Sequence, residues 1–263
     1  MHIVVLLKQV HEPNTQPAFM SIGADGNSLS FQAGTSMVLN SYDANGVEEA
    51  VRIKERSGGI VTVITVGDKS SITHIRRALA MGADRGIHVE GPTGIDCDPA
   101  VIAALIAGAM AQVEKASLVL CGRQASDTDA GQVPFILADL LGVTPVSPVV
   151  AIPTVTDEAV EVHRVSECGT QHLRVQLPAL LGVSNEINKP RSPGLKGVMM
   201  AKKAEVPTWS AADLAVSPPA VGLQREHLAL APRKTIEAEM LQAGSGQQAG
   251  RALADRLRQE GII

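Results

Sequence analysis

An alternation of apolar strand-like runs with helix-like stretches occupies the first 142 residues and constrains the fold more than any other feature. Strands are predicted at residues 2–7, 60–66, 86–89 and 117–121. Each is followed by a stretch whose apolar residues recur at helical spacing. This β-α-β-α order predicts an α/β fold built on a doubly wound, Rossmann-like parallel sheet.

Local signals mark several helix ends within this alternation. Asp98 followed by Pro99 is the pattern of an N-cap with proline in the first turn, and Gly82 has the position of a C-terminal cap. Two capping boxes, in which two residues three apart satisfy each other's backbone N–H groups, predict further helix starts. The capping boxes pair Asn45 with Glu48 and Asp129 with Gln132.

Polar loops from four places in the alternation are predicted to meet at one edge of the sheet. In a doubly wound sheet a ligand binds beyond the carboxyl ends of the strands, where the strand order reverses. The loops predicted there follow Lys8 and span residues 40–43, 66–68 and 122–131. The last of them joins a buried strand to a helix, a geometry that aims backbone N–H groups at one spot. The convergence predicts a nucleotide site, although glycine and aspartate are also ordinary loop residues.

The chain lacks the motifs of common nucleotide-hydrolysing and catalytic sites. It has no G-x-G-x-x-G, no P-loop lysine motif, no HExxH and no GxSxG. The three cysteines are far apart and lack metal-ligand spacing, so no metal site and a reducing, cytoplasmic location are predicted. We therefore expect a binding site without catalytic residues, in a protein that is not an enzyme. The alternative is a stand-alone ATP- or AMP-binding protein or hydrolase of the same fold class.

Charge and hydropathy exclude two further classes of partner. The formal net charge is -4, with a single tryptophan and a single tyrosine, whereas nucleic-acid binding needs phosphate neutralisation and often stacking rings. The most apolar segment, residues 100–111, is too short to span a bilayer. We expect a soluble protein with no nucleic-acid partner that is not embedded in a membrane.

Beyond residue 142 the hydrophobic period changes from that of helices to that of strands. Residues 149–152, 159–165 and 172–177 alternate apolar with polar side chains and predict antiparallel strands added to the sheet edge. Residues 1–185 are therefore predicted to form the α/β nucleotide-binding domain.

Residues 186–215 are rich in proline and glycine and are predicted to be a loop and linker rather than a packed element. A plain solvated linker is one interpretation. The other is a docking surface, because an apolar cluster is flanked by lysines. That cluster consists of Leu195, Val198, Met199 and Met200. Residues 216–263 are predicted to be a C-terminal arm, an extended linker followed by a helix whose apolar stripe packs on a partner.

Several segments in fixed order closely resemble the electron-transfer flavoprotein beta subunit. The resemblance covers about residues 1–215 and implies an adenine-nucleotide-binding fold. It also implies an obligate alpha subunit that carries most of the electron-transferring FAD. The matching segments are residues 8–10, 47–55, 77–89, 122–133, 177–179 and 190–203.

The resemblance further implies a route for electrons and a set of contacts. Electrons would pass from dehydrogenases, such as acyl-CoA dehydrogenases, through FAD to a quinone-linked acceptor. Leu195 matches the family's residue for docking on the dehydrogenase, with Val198, Met199 and Met200 beside it. This subunit would bury AMP or, as in some members, a second FAD. The implied nucleotide contacts are Leu6, Asn40, Ser41, Tyr42, Asp43, Val66, Gly122, Arg123, Gln124, Asp127, Asp129, Gly131, Gln132 and Val133.

The sequence departs from the common AMP-binding pattern of this family. Gln132-Val133-Pro134 stands where many AMP-binding members have Gln-Thr-Gly, and Ser41 replaces a usual proline. The Gln132-Val133 step and residues 209–213 are more similar to members that hold a second flavin. AMP and a second FAD therefore both stay open, and a second flavin would allow electron bifurcation with NADH.

Overall fold

Secondary structure follows the alternation that the sequence predicts. The computed structural model describes residues 1–93, 97–223, 226–229 and 238–263. The helices are α1 (Ser41–Ser57), α2 (Ile72–Met81), α3 (Pro99–Ala111), α4 (Val133–Leu141), α5 (Leu195–Lys203) and α6 (Gly246–Gln259). The strands are β1 (His2–Leu7), β2 (Gln9–His11), β3 (Met20–Ile22), β4 (Leu29–Phe31), β5 (Met37–Leu39), β6 (Ile60–Gly67), β7 (Arg85–Glu90), β8 (Leu118–Gly122), β9 (Thr144–Val155), β10 (Ala159–Ser166), β11 (Gly169–Gln176), β12 (Ala179–Val183) and β13 (Thr208–Trp209).

The main sheet has the strand order β11-β10-β9-β12-β8-β1-β6-β7-β13. All neighbours from β9 to β13 pair in parallel, whereas β10 and β11 pair antiparallel at the β9 edge. The strand order reverses at β1, because β6 and β7 lie on one side of it and β8 on the other. The predicted doubly wound parallel sheet with added antiparallel strands is confirmed.

The sheet is covered on both faces, which explains its continuous apolar strands. Ile3 and Val5 of β1 pack in one apolar cluster with α1 and α2. Val4 and Leu6 point to the other face and pack with α3 and α4. Alternate side chains of one strand therefore hold two helical layers.

Two predicted helix starts are wrong. Helix α1 begins at Ser41 rather than at Asn45, which is buried inside the helix and donates its side-chain amide to the carbonyl of Asn188 at 2.8 Å. Helix α4 begins at Val133 without a side-chain cap, and Asp129 has a left-handed φ of 51° outside it. Both capping-box patterns describe side chains whose real partners lie elsewhere. The predicted caps at Gly82 and Asp98 are confirmed.

The proline- and glycine-rich segment beyond residue 186 forms packed elements, contrary to the expectation from its composition. Helix α5 lies against α2, and β13 joins the sheet beside β7. Glycine permits this approach, because a Cβ on Gly197 would lie 2.5 Å from the carbonyl oxygen of Ala80. Arg76 of α2 then donates to the carbonyl of Ala201 at 2.5 Å near the C-terminal end of α5.

The chain divides into two units, Met1–His227 and Leu228–Ile263. The predicted limits at residues 185 and 215 stay a prediction. Part of the predicted linker within residues 216–263, namely residues 224–225 and 230–237, lies outside the described residues. Helix α6 belongs to the second unit. None of the described helices is both long and apolar enough to cross a membrane.

Candidate functional site

A cavity of about 520 Å³ lies at the carboxyl edge of the sheet, at the reversal between β1 and β8. Its volume is typical of small-molecule sites. The ends of β1, β6 and β8 and the first turns of α1, α3 and α4 border it. The sequence-predicted residues that line it are Leu6, Asn40, Asp43, Val66, Gly122, Gln124, Gly131, Gln132 and Val133.

Asp43, in the first turn of α1, joins the two strands at the reversal. Its Oδ2 accepts a hydrogen bond from the backbone N–H of Lys8 at 2.7 Å, and its Oδ1 accepts one from Gly122 at 2.9 Å. The side chain is buried, and burial raises the pKa of Asp43 to about 7, although the two N–H donors favour the ionised form. Asp43 therefore fixes the spacing of β1 and β8 where the cavity opens.

Gly122 and Asn40 bring the loop after β8 close to the start of α1. A Cβ on Gly122 would lie 2.5 Å from Asp43 Oδ1, so glycine is required at this approach. The Asn40 side-chain amide donates to the carbonyl of Gln124 at 3.0 Å, and its Oδ1 accepts from the N–H of Ser126 at 3.2 Å. The first turn of α1 therefore holds both the strand and its loop.

The two aspartates of the loop at residues 122–131 bind other side chains of the protein. Asp127 pairs with the ammonium group of Lys8 at 2.9 Å. Asp129 accepts a hydrogen bond from the side-chain amide of Gln124 at 2.6 Å. Neither aspartate borders the cavity. Within the part of the chain that the structure describes, no three His, Cys, Asp or Glu side chains group to hold a metal ion.

Three other predicted contacts also lie away from the cavity wall. Ser41 is exposed at the start of α1. The guanidinium carbon of Arg123 lies 5.5 Å from the centre of the Tyr42 ring, a cation–π contact beside β8. The backbone N–H of Arg123 donates to the carbonyl of Val183 on β12. Tyr42 and Arg123 thus join α1 to the end of β8 and, through the Arg123 backbone, to β12 rather than lining the cavity.

The mouth of the cavity has polar groups that the sequence analysis did not assign. Lys8, Gln9 and His11 line it, and Gln9 Oε1 and His11 Nδ1 are buried without a hydrogen-bond partner among the described residues. Burial lowers the pKa of His11, while Asp127 opposes that shift. Buried polar atoms without partners cost free energy unless a ligand or water satisfies them, so this mouth suits a polar ligand.

One further wall of the cavity was missed because it comes from α3 and from a distant part of the chain. Pro99, Ile102 and Ile106 of α3 line this wall together with Leu223. The N-cap at Asp98 signals where α3 begins and so could have placed the first of these residues. Leu223 follows a proline-rich stretch without periodicity, and no sequence signal placed it at the site.

The predicted docking residues lie on α5, away from the cavity. Leu195 is 79% exposed, and Met199 and Met200 are also exposed. Val198 is partly buried, and Lys196 lies among the exposed apolar side chains. Solvated leucine and methionine on a helix that is fixed to α2 form an apolar surface bordered by positive charge.

Comparison with known proteins places the chain in a family. Residues 29–214 match the family described as Electron transfer flavoprotein domain. An electron transfer flavoprotein subunit beta from Thermoanaerobacterium thermosaccharolyticum is 33% identical over 267 residues, which cover the whole of both chains. Subunit CarD of the caffeyl-CoA reductase-Etf complex of Acetobacterium woodii is 31% identical over 268 residues, again the whole of both chains.

A third relative is the electron transfer flavoprotein subunit beta of Mycobacterium tuberculosis, 32% identical over 227 residues, or 84% of each chain. These matches confirm the resemblance found in the sequence. The chain therefore belongs to the electron transfer flavoprotein family, as a beta subunit that functions in electron transfer.

Proposed function

We propose that the cavity between β1 and β8 binds the adenosine part of a nucleotide, either AMP or a second FAD. The observation that carries this proposal is the Asp43 junction, which holds two strand ends so that their loops border one space. Leu6, Val66 and Ile102 give that space apolar walls suited to a purine ring. The backbone and amide groups around Asn40 and Gln124 offer polar contacts to the ribose.

The phosphate end of the nucleotide is assigned to the mouth of the cavity. The N-terminus of α4 borders the cavity at Gln132 and Val133, and a helix N-terminus attracts negative charge. Lys8, whose ammonium group pairs with Asp127, lies at the same mouth. Gln9 Oε1 would accept a hydrogen bond from a ribose hydroxyl, and His11 Nδ1, when it carries the proton, would donate to a phosphate oxygen.

In this proposal the chain works as a carrier with an alpha subunit that holds most of the electron-transferring FAD. Bound FAD supplies the electron chemistry, and the residues of this chain bind and position nucleotides, so no catalytic residue is assigned to it. The C-terminal arm would pack on the alpha subunit, since α6 leaves Leu253 half exposed. Electrons would enter from a dehydrogenase and leave to a quinone-linked acceptor.

The docking surface for the dehydrogenase is assigned to α5. Leu195 projects into solvent from a helix that Gly197 and Arg76 hold against α2. A solvated leucine on a rigid helix loses little conformational freedom on binding, so it is suited to anchor a partner's apolar pocket. Lys196 and Lys203 beside it would favour a partner with an acidic rim.

A second candidate within the family is a subunit that bifurcates electrons with NADH. It is favoured by the full-length match to a subunit of a caffeyl-CoA reductase-Etf complex and by the Gln132-Val133 step at the start of α4. This candidate requires FAD rather than AMP in the cavity. A stand-alone nucleotide hydrolase is not favoured, because the chain belongs to the electron transfer flavoprotein family.

The test is to purify the chain co-expressed with its alpha subunit, denature the complex, and count released FAD and AMP by mass spectrometry. One FAD with one AMP per heterodimer supports the simple carrier. Two FAD support the bifurcating candidate. A heterodimer that holds one FAD and no second nucleotide contradicts the assignment of the cavity, and a complex without flavin absorbance contradicts the carrier itself.

A further inference from the structure

The chain that follows β13 runs along α3 towards the cavity. Leu214 is buried in the apolar cluster of α3, and a Cβ on Gly108 would lie 2.3 Å from Val216 Cγ2. The same stretch reaches the N-terminus of α3 at Gly222 and Leu223. We call residues 214–223 the strap. It is fixed to the C-terminal half of α3 by apolar packing and to its N-terminus by hydrogen bonds.

Asp98 makes the hydrogen bonds at the N-terminal attachment. Its Oδ1 accepts from the N–H of Ala100 at 2.8 Å and so caps α3. Its Oδ2 accepts from the N–H of Gly222 at 2.7 Å and from that of Leu223 at 3.2 Å. The N–H of Gly222, followed by that of Ala100, lowers the pKa of Asp98, so the carboxylate is ionised at neutral pH. One buried carboxylate therefore serves both the helix and the strap.

The strap forms part of the cavity wall. Leu223 lines the cavity together with Pro99 and Ile102, although 59% of its surface is exposed. A residue that lines the cavity and is also exposed lies at the rim, so Leu223 is beside the path by which a ligand enters. The second compact unit begins soon afterwards at Leu228. The rim residue is therefore held by Asp98.

We propose that Asp98 is a positioning residue that keeps the strap closed at the cavity rim and thereby slows the release of bound nucleotide. The inference rests on the proposed nucleotide site and adds to it a residue that does not touch the ligand. By linkage, a nucleotide that contacts Leu223 stabilises the closed strap to the same extent that the closed strap stabilises the nucleotide.

The variant Asp98→Asn separates the strap from the helix cap. Asparagine is as good an N-cap as aspartate, so its Oδ1 keeps the bond from Ala100. Its NH₂ group replaces Oδ2 and faces the N–H groups of Gly222 and Leu223, donor against donor. The strap attachment is lost while α3 stays capped. Asp157→Asn, at the exposed turn between β9 and β10, removes the same charge far from the cavity and is the control.

The experiment uses the heterodimer and measures two quantities. Hydrogen exchange of the peptide at residues 216–223 reports the strap, and release of radiolabelled AMP or fluorescent FAD after dilution reports the cavity. In Asp98→Asn we expect the amide hydrogens of residues 216–223 to exchange faster, while that of Ala100 stays protected. We also expect nucleotide to be released about tenfold faster. We expect bound nucleotide to slow exchange of the peptide in wild type. Asp157→Asn should match wild type in both.

A second variant keeps the test decisive if Asp98→Asn folds poorly. Leu223→Ala retains both backbone hydrogen bonds and removes only the rim side chain. Release should therefore be faster, strap exchange without nucleotide should be unchanged, and nucleotide should slow that exchange less than in wild type. Wild-type release rates in both variants overturn the inference, as does equal strap exchange with and without nucleotide. A wild-type heterodimer that binds neither AMP nor FAD in this cavity refutes the proposed site itself, a result distinct from the failure of a variant.

Discussion

Replacing Asp43 by asparagine tests whether the junction between β1 and β8 shapes the nucleotide site or only stabilises the fold. The carboxylate accepts one backbone hydrogen bond from each strand end, from Lys8 and from Gly122. Asparagine has nearly the same shape but only one acceptor oxygen. Its NH₂ group must face one of the two N–H groups, so one half of the junction opens.

The effect on overall stability is small because two terms oppose each other. A pKa raised to about 7 is about three units above the usual value, so keeping the buried Asp43 charged costs about 4 kcal/mol. Asparagine is neutral and avoids this cost. The raised pKa already includes the hydrogen bonds to the carboxylate, so the opposing cost is the buried N–H group left unpaired, about 3 kcal/mol. We therefore expect the free energy of unfolding at pH 8 to change by about 1 kcal/mol. No gain compensates for the opened junction in nucleotide binding, so nucleotide affinity should fall about tenfold or more.

The assay is calorimetric titration of nucleotide-free heterodimer with AMP and with FAD, paired with urea unfolding. Asp84→Asn is a matched control. Asp84 accepts the N–H of Val61 at 2.8 Å at the opposite end of β6, so the control removes a similar bond far from the cavity. The reasoning is refuted if Asp43→Asn binds nucleotide as tightly as wild type, or if both variants lose affinity equally.

The remaining predictions concern helix α5 and the titration of Asp43. Leu195→Ala should slow electron transfer from a dehydrogenase at least about tenfold, since a leucine buried in an interface contributes about 2 kcal/mol, and it should leave flavin content unchanged. The control is Leu140→Ala, which also removes an exposed leucine. Equal stopped-flow rates in the two variants would contradict this prediction. Gly197→Ala places a methyl group 2.5 Å from the carbonyl oxygen of Ala80, so it should displace α5, slow the same transfer and lower the melting temperature. Because the pKa of Asp43 is raised, the folded state keeps a proton between about pH 4 and about pH 7 that the unfolded chain has lost. Urea unfolding of wild type should therefore show a free energy of unfolding that falls from about pH 4 to about pH 7. An equal fall in Asp43→Asn would exclude Asp43 as the cause.

Sequence reasoning succeeded where structure depends on neighbouring residues or on burial along a whole element. The strand at residues 2–7 is apolar because helices cover both faces of it, so its pattern is enough to identify it. The caps at Gly82 and Asp98 are local, and both were predicted. The capping box at Asn45 failed for the opposite reason. Its side chain binds Asn188, a partner that no short sequence window contains.

The candidate site was predictable in position but not in detail. Loops that follow parallel strands meet at one edge, so Asn40, Asp43 and Gly122 could be grouped from topology alone. The role of Asp43 could not be deduced, because it depends on two N–H groups from strands far apart in the chain. Leu223 was missed because a strap without periodicity leaves no pattern. Helix α5 was missed because composition does not show that Gly197 allows close packing.

Helix α1 lies between the proposed nucleotide cavity and the segment that leads to the proposed docking surface on α5. Asn40 and Asp43 at its start shape the cavity, while Glu48, further along the helix, holds the segment that leads into α5. The Arg191 side chain donates to Glu48 at 2.8 Å and its backbone N–H donates at 3.1 Å, and Glu48 is buried. Burial alone would raise the pKa of Glu48, but the hydrogen bonds from Arg191 and Arg52 outweigh burial and lower it, so the pair is ionised.

Glu48 is buried and the Arg191 side chain is 35% exposed, so this ion pair attaches the segment that leads into α5 to α1. A nucleotide bound in the proposed site would contact the first turn of α1, the helix that binds Arg191 just before α5. Under the proposed function AMP, which carries no electrons, would therefore stabilise the helix to which the segment before the proposed docking surface is attached. A second FAD bound there would contact the same first turn of α1 and add a redox group.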